Sequence, residues 1–224
     1  MDPARRPLFA SACLFAVVLS LLVANDVSAR SLGESRMCIE ALLTAAVRPT
    51  RVAAWAAHLE GVEVGTTATQ ETAVVRFYES DGDVDEGARA LFERIAARGE
   101  DPHPLAVRLE QLVFKAAYHF KNAPVVVVSG WRANAGRHGT AEALDFKLRG
   151  VPSRSLAAYL RGLPRAGVGV YTHPRTQYVH LDVREPSFHW IDASPPGVKW
   201  REAQLGDRTC AKRDASWVPE MDLP

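Results

Sequence analysis

The chain has 224 residues, of which 47% are hydrophobic and 24% charged, and its formal net charge is +1. This is an ordinary globular composition, large enough for one well-filled core. The basic residues are scattered rather than clustered, which argues against a nucleic acid or an anionic lipid surface as the partner.

In chain order, Arg5-Arg6 precede an apolar run from Leu8 to Ala24, and Val27-Ser28-Ala29 offers a small-x-small cleavage site. That is the layout of a secretory signal peptide over residues 1–29, cleaved after Ala29. The alternative is an uncleaved anchor, because the run is close to the minimum length of a span. Cys13 lies inside the run with no lipobox before it. Removing the segment takes away Asp2, Asp26, Arg5 and Arg6 and leaves the charge unchanged. The remainder keeps Cys38 and Cys210, an even pair that suggests a disulfide in an oxidising compartment. Closing so long a loop would contribute on the order of 4–5 kcal/mol if unstrained. The other reading is two unrelated thiols.

Residues 38–60 read as two helical pieces interrupted by Pro49, and residues 61–72 as loop or weak strand. Val74 to Tyr78 is a predicted strand, stopped by Ser80-Asp81-Gly82-Asp83. A helix follows with Ala88, Leu91, Phe92 and Ile95 on one face, ended by Arg98-Gly99. The next buries Leu105, Leu109, Leu112, Val113, Ala116 and Phe120. His58 and His119 read as surface residues of helices. Val125 to Val128 is a buried strand closed by Ser129-Gly130. After a polar loop, Trp131 to Gly139, comes a second strand, Ala143 to Leu148. A helix opens near Pro152 with Ser153 or Ser155 as cap. Gly167 to Tyr171 and Gln177 to Val183 are strands joined through the turn His173-Pro174-Arg175. From Ser194 a tail rich in Pro, Gly and charge wraps the surface. Helices first and then mainly strands predict an α+β fold with an antiparallel sheet.

Two good metal ligands, His138 and Asp145, stand seven apart. On one continuous helix they would lie roughly 10 Å apart along the axis, too far for one ion whose ligand atoms lie about 2.0–2.2 Å away. The loop must fold back onto the strand, and Gly136 and Gly139 flank His138 where such a turn needs permissive backbone. On the later strand Tyr178, His180 and Asp182 share one face, opposite Val179, Leu181 and Val183. A polar strand face of this kind is commonly just solvated. Together His138, Asp145 and His180 make a two-His, one-carboxylate set, as tetrahedral zinc uses.

Arg137-His138-Gly139-Thr140-Ala141-Glu142-Ala143-Leu144-Asp145 resembles the S-x-H-x-x-G-x-A-x-D signature of the zinc D-Ala-D-Ala carboxypeptidases and related murein endopeptidases. Ser129-Gly130-Trp131-Arg132 is similar to their S-G-Y-R strand end. Gly167-Val168-Gly169-Val170-Tyr171 and Tyr178-Val179-His180-Leu181-Asp182 are similar to the G-V-G-Y-Y…F-V-H-x-D segment of the murein endopeptidase K subgroup. The likeness spans about Val75 to Trp190.

The resemblance implies a hedgehog/DD-peptidase-like fold with N-terminal helices. It implies residues 30–224 as a single zinc peptidase-like domain with a C-terminal tail from about 194. It also implies zinc on His138, Asp145 and His180, polarising a peptide carbonyl and making hydroxide available at neutral pH. Arg132 would grip a substrate carboxylate, the alternative being an ion pair with Glu142. The implied protein is an exported zinc metallopeptidase acting on peptidoglycan peptides in the periplasm or outside the cell. It would be a monomer, with no nucleic acid bound and no membrane contact beyond an uncleaved signal segment. Departures are plain: Gly136 and Ala141 replace the signature Ser and Gly. Gln177 and Tyr178 stand where relatives carry a Glu or His base, although the subgroup lacks these too. Asp182 is then the first candidate for a base or for orienting His180, with Glu185, His189 and His173 after it. His189-Trp190 resembles the family's closing pair and would form a cleft wall. The competing reading is a non-catalytic zinc-containing relative that only binds wall peptides. A weaker third is a metal-free structural envelope protein.

Overall fold

The computed structural model describes residues 53–198 and 203–224, all within one compact unit, residues 52–224. Residues 1–29, read as a signal segment, Cys38 and most of the helical region read over 38–60 lie outside the described residues.

The described chain is a mixed α+β fold built on an eight-stranded sheet. The strands are β1 (Val62–Thr66), β2 (Thr72–Val75), β3 (Val125–Ser129), β4 (Ala143–Leu148), β5 (Ala166–Tyr171), β6 (Val179–Val183), β7 (Phe188–Asp192) and β8 (Ala203–Gln204), in the order β2-β1-β3-β4-β6-β5-β7-β8. The centre, β3-β4-β6-β5, is antiparallel as expected. The sheet as a whole is mixed, because β1 pairs with β3, and β5 with β7, in parallel. Each parallel pair brackets a return element, as parallel neighbours require. Between β1 and β3 run β2 and the helices α1 (Glu86–Ala96) and α2 (Val107–His119); between β5 and β7 runs β6. Helices therefore do not all precede strands. The described part of the predicted 38–60 helical region is one 3-10 turn, Ala56–His58.

Helices follow the apolar periodicity closely. Asp85 caps α1, its carboxylate accepting the Ala88 N–H at 2.9 Å. No serine side chain caps α3 (Ser153–Arg161), whose N-cap is Pro152; the fixed ring supplies the start instead. The tail from Ser194 carries β8, a short α4 (Cys210–Ala215) and a 3-10 turn, Pro219–Asp222. Among the described residues no helix is long and apolar enough to cross a membrane.

One face of the sheet is apolar. Val62, Val64, Val125, Val127, Leu144, Phe146, Leu148, Val168, Val179 and Leu181 are buried there with Phe92, Leu109, Leu112, Leu156 and Leu160 of the helices. The opposite face carries the polar residues, and the alternation of β4, β5 and β6 delivers them. At the end of β3 a bulge between Val127 and Ser129 breaks that alternation. Ser129, which plain parity would turn toward the core, instead pairs with Asp145 on the polar side.

Candidate metal centre

Cross-strand registers place Ser129, Asp145, His180, Gly169 and Trp190 in one row over β3, β4, β6, β5 and β7. His138 joins the row from a 3-10 turn, Gly136–His138, that folds the loop back over β4. The loop is fastened by Arg132 N–H to His138 O at 3.3 Å and by the Trp131 indole N–H to Gly139 O at 3.2 Å. Of the two flanking glycines, Gly136 supplies the left-handed backbone, at φ +57°. Gly139 serves through close approach, since a Cβ there would lie 3.2–3.3 Å from three backbone atoms.

His138, Asp145 and His180 are buried, and each offers one atom to a common point that could hold a metal ion. His138 Nε2 lies 3.2 Å from His180 Nδ1 and 3.5 Å from Asp145 Oδ1, and His180 Nδ1 lies 2.9 Å from the same oxygen. Donors bound tetrahedrally at about 2.0–2.1 Å stand roughly 3.3–3.4 Å from one another, so the three separations fit one small divalent ion. The outer ring nitrogens are held as well. His138 Nδ1–H donates to Gly130 O at 2.7 Å, leaving Nε2 with its lone pair. His180 Nε2–H donates to Asp182 Oδ2 at 3.0 Å.

Burial works against charge on these groups, and the contacts between them win. Asp145 is driven down to about 2 because its contacts with His138 and His180 outweigh its desolvation. Burial lowers His180, but Asp145 and Asp182 overcome it and push the ring up to about 9. Without a metal, the His180 ring carrying a proton on each nitrogen bridges the two carboxylates, Nδ1–H to Asp145 and Nε2–H to Asp182. A divalent cation held at the same point would replace the Nδ1 proton.

Asp182 is wholly buried. Burial raises its carboxyl, but hydrogen bonds from His180 and Arg184 reverse this and hold it below the usual range. Arg184 reaches both of its oxygens, at 2.5 and 2.6 Å, and Arg137 stands 3.4 Å away. A carboxylate so occupied orients His180. Gly167 on β5 makes room for it, because a Cβ there would lie 2.2 Å from Asp182 Oδ2. Gly169 likewise admits the Trp190 indole, whose ring centre lies 4.9 Å from that of His180.

Arg132 is half-exposed, its guanidinium 3.8 Å from Asp145 Oδ2. Glu142 pairs with Arg137 at 2.8 Å instead. Of the other base candidates, Glu185 is exposed and paired with Arg165, and His173 accepts the Arg175 N–H in its turn. His189 is buried on the strand face opposite Trp190, so only Trp190 of that pair walls the site. Among the described residues Cys210 is an unpaired thiol, half-buried beside Ser187 O and Asp214; Cys38, its predicted partner, lies outside them.

Sequence reasoning missed Arg184 and Arg137 as the partners of Asp182, and it gave the two β5 glycines no structural reason. A signal for the glycines was available: Gly167-x-Gly169 repeats with strand period, leaving bare the face that must accept Asp182 and Trp190.

The fold and site together define a mixed α+β protein with a buried His-Asp-His group able to hold a metal ion. Comparison with protein-family models, curated proteins and solved structures finds no match.

Proposed function

We propose that this chain is an exported zinc metallopeptidase that hydrolyses peptide bonds in peptidoglycan, as a murein endopeptidase or a D,D-/L,D-carboxypeptidase. The observation carrying this reading is the convergence of His138 Nε2, His180 Nδ1 and Asp145 Oδ1 within 2.9–3.5 Å of one another. Two imidazoles and one carboxylate, with the fourth position left open, suit a catalytic zinc. The antiparallel centre of the sheet supports a hedgehog/DD-peptidase-like arrangement, and the motif resemblance supports an envelope location, a monomer and wall peptides as substrate.

Bound zinc supplies a Lewis acid for the scissile carbonyl and lowers the pKa of water to about 7. The chain's own residues do the rest. Gly130 O and Asp182 fix the two imidazoles in the tautomers that present His138 Nε2 and His180 Nδ1. Arg132, half-exposed beside Asp145, is free to take a substrate carboxylate bidentately. Trp190 excludes water from the flank of His180.

One observation favours a second reading, a zinc-containing binder of wall peptides without catalysis. The predicted proton acceptor, Asp182, is saturated by two guanidiniums and an imidazole.

The test is the purified full-length chain with its zinc measured, incubated with cross-linked muropeptides beside His138→Ala. Stoichiometric zinc and new peptide termini, both lost in the variant, are expected. Zinc without product selects the binding reading, and absence of zinc removes both.

A further inference from the structure

We propose that Ser129 is a positioning residue of the metal centre, its hydroxyl donating to Asp145 Oδ2 when a divalent ion occupies Oδ1. This rests on the zinc reading of the site and not on catalysis.

Ser129 is 6% exposed, and among the described residues its buried Oγ has no hydrogen-bond partner. A hydroxyl left in that state costs the fold free energy that an alanine would not. The rest of β3 is four valines, so nothing in the strand itself calls for the polar group.

Two observations aim the side chain at the metal face. The β3 bulge brings Ser129 into register with Asp145. The next residue, Gly130, turns the other way, since a Cβ there would lie 2.6 Å from Ala96 O of α1, and side chains alternate along a strand. Helix α1 packs on the apolar face through Phe92, Ile95 and Ala96, which leaves Ser129 the opposite one. The surroundings of this strand end are described residues: Asp145 across β4, Ala96 behind Gly130, and on the far side the Thr67 N–H that donates to Val127 O.

Asp145 has an oxygen to receive the hydroxyl. Oδ1 faces both imidazoles, at 2.9 Å from His180 Nδ1 and 3.5 Å from His138 Nε2. Among the described residues the partner of Oδ2 is the Arg132 guanidinium, at 3.8 Å, which is beyond hydrogen-bond length. A carboxylate that ligates a metal is itself held by a hydrogen bond. The Ser129 hydroxyl is the buried donor next in register, and one staggered step about its Cα–Cβ bond redirects Oγ. The serine then acts oppositely in the two states of the site, as a cost in the metal-free protein and a gain in the loaded one. A hydroxyl that only packed would act alike in both.

The experiment compares the full-length wild type with Ser129→Ala, each stripped of metal by a chelator and then titrated with zinc. The zinc Kd, from competition with a chromogenic chelator, is expected to rise about tenfold in Ser129→Ala. The Tm of the metal-free variant is expected to match wild type or exceed it by about 2–4 °C, so that zinc raises Tm less in the variant. Ser129→Thr, which keeps the hydroxyl, is expected to recover most of the affinity. An unchanged zinc Kd in Ser129→Ala overturns the proposal. So does a loss of affinity matched by an equal loss of metal-free stability, which would mark a packing defect. A wild type that binds no zinc defeats this inference and the metal reading together. Zinc bound, and weakened by Ser129→Ala, without hydrolysis of muropeptides keeps the inference and defeats the peptidase reading alone.

Discussion

Two carboxylates of the described chain are fully buried against arginines, Asp182 beneath the metal centre and Glu110 between α1 and α2, and they end in opposite states. Asp182 takes both Arg184 nitrogens and His180 Nε2, with Arg137 close by, and stays ionised below the usual carboxylate range. Glu110 receives only Arg89 Nε, at 2.7 Å on Oε2, while Oε1 is buried without a partner. Arg89 is also divided among Glu86, Glu93 and Leu105 O. Burial dominates there, with Glu93 adding to it against Arg89, and pushes Glu110 up to about 8. Burial alone does not decide charge; the number of donors on both oxygens does. The saturated site keeps an anion for His180 to lean on, whereas the unsaturated one holds a proton and behaves as packing.

The largest break in this comparison is Asp182→Asn. It leaves Arg184 and Arg137 facing a neutral amide, so a stability loss of about 3–5 kcal/mol is expected, as for a buried pair with one partner removed. Zinc affinity should fall about 10–100-fold as His180 loses its orienting anion. Urea melts and a competitive chelator titration measure the two effects. An unchanged zinc Kd would show that Asp182 does not tune the centre. Gly167→Ala attacks the same carboxylate sterically, through a Cβ 2.2 Å from Oδ2. About 1–3 kcal/mol of overpacking is expected, with weakened zinc binding. Gly150→Ala, at a turn glycine with open space around it, should cost stability but leave zinc affinity unchanged.

Glu110 gives a pH signature of the opposite kind. Its folded value of about 8 exceeds its ordinary 4.5, so between those limits the folded state holds a proton that the unfolded state has released. Stability then falls as pH rises through that window. Glu110→Gln should be nearly neutral at pH 5, flatten the decline of Tm with pH, and be more stable than wild type at pH 8.5. Parallel Tm profiles for the two proteins would mean that Glu110 is ionised throughout.

Much of this was legible in the sequence where period and chemistry coincide. The four valines of β3, the alternation Tyr178-His180-Asp182 and the helical stripes of α1 and α2 each carry their own burial pattern. His138 and Asp145 could be joined because a seven-residue spacing admits one ion only through a folded-back loop. Less legible were features fixed by partners distant along the chain. The parallel edges of the sheet depend on which neighbour β1 and β5 meet. Arg184, two residues from Asp182, reads as an ordinary surface cation until Gly167 is seen to clear space beside it. β7 was missed because Phe188-His189-Trp190-Ile191-Asp192 lacks clean alternation, and the bulge before Ser129 cannot be seen in a run of identical valines.

The smallest expected effect tests whether the metal loop tolerates its own departure from the resembling signature. Ala141 stands where that signature has glycine, and its backbone is left-handed at φ 60°. An alanine there costs roughly 1–2 kcal/mol relative to its preferred regions. Its N–H still donates to His138 O at 3.3 Å and its carbonyl accepts the Ala106 N–H at 2.9 Å, so the conformation is held from both sides. Glycine would relieve the strain but add conformational freedom to the unfolded chain worth about 0.4–1 kcal/mol. The balance favours Ala141→Gly by up to about 1 kcal/mol, a rise of a few degrees in Tm with zinc affinity unchanged. A fall in stability would mean that the buried methyl, 5% exposed in the core beside α2, contributes more by packing than the backbone loses by twisting.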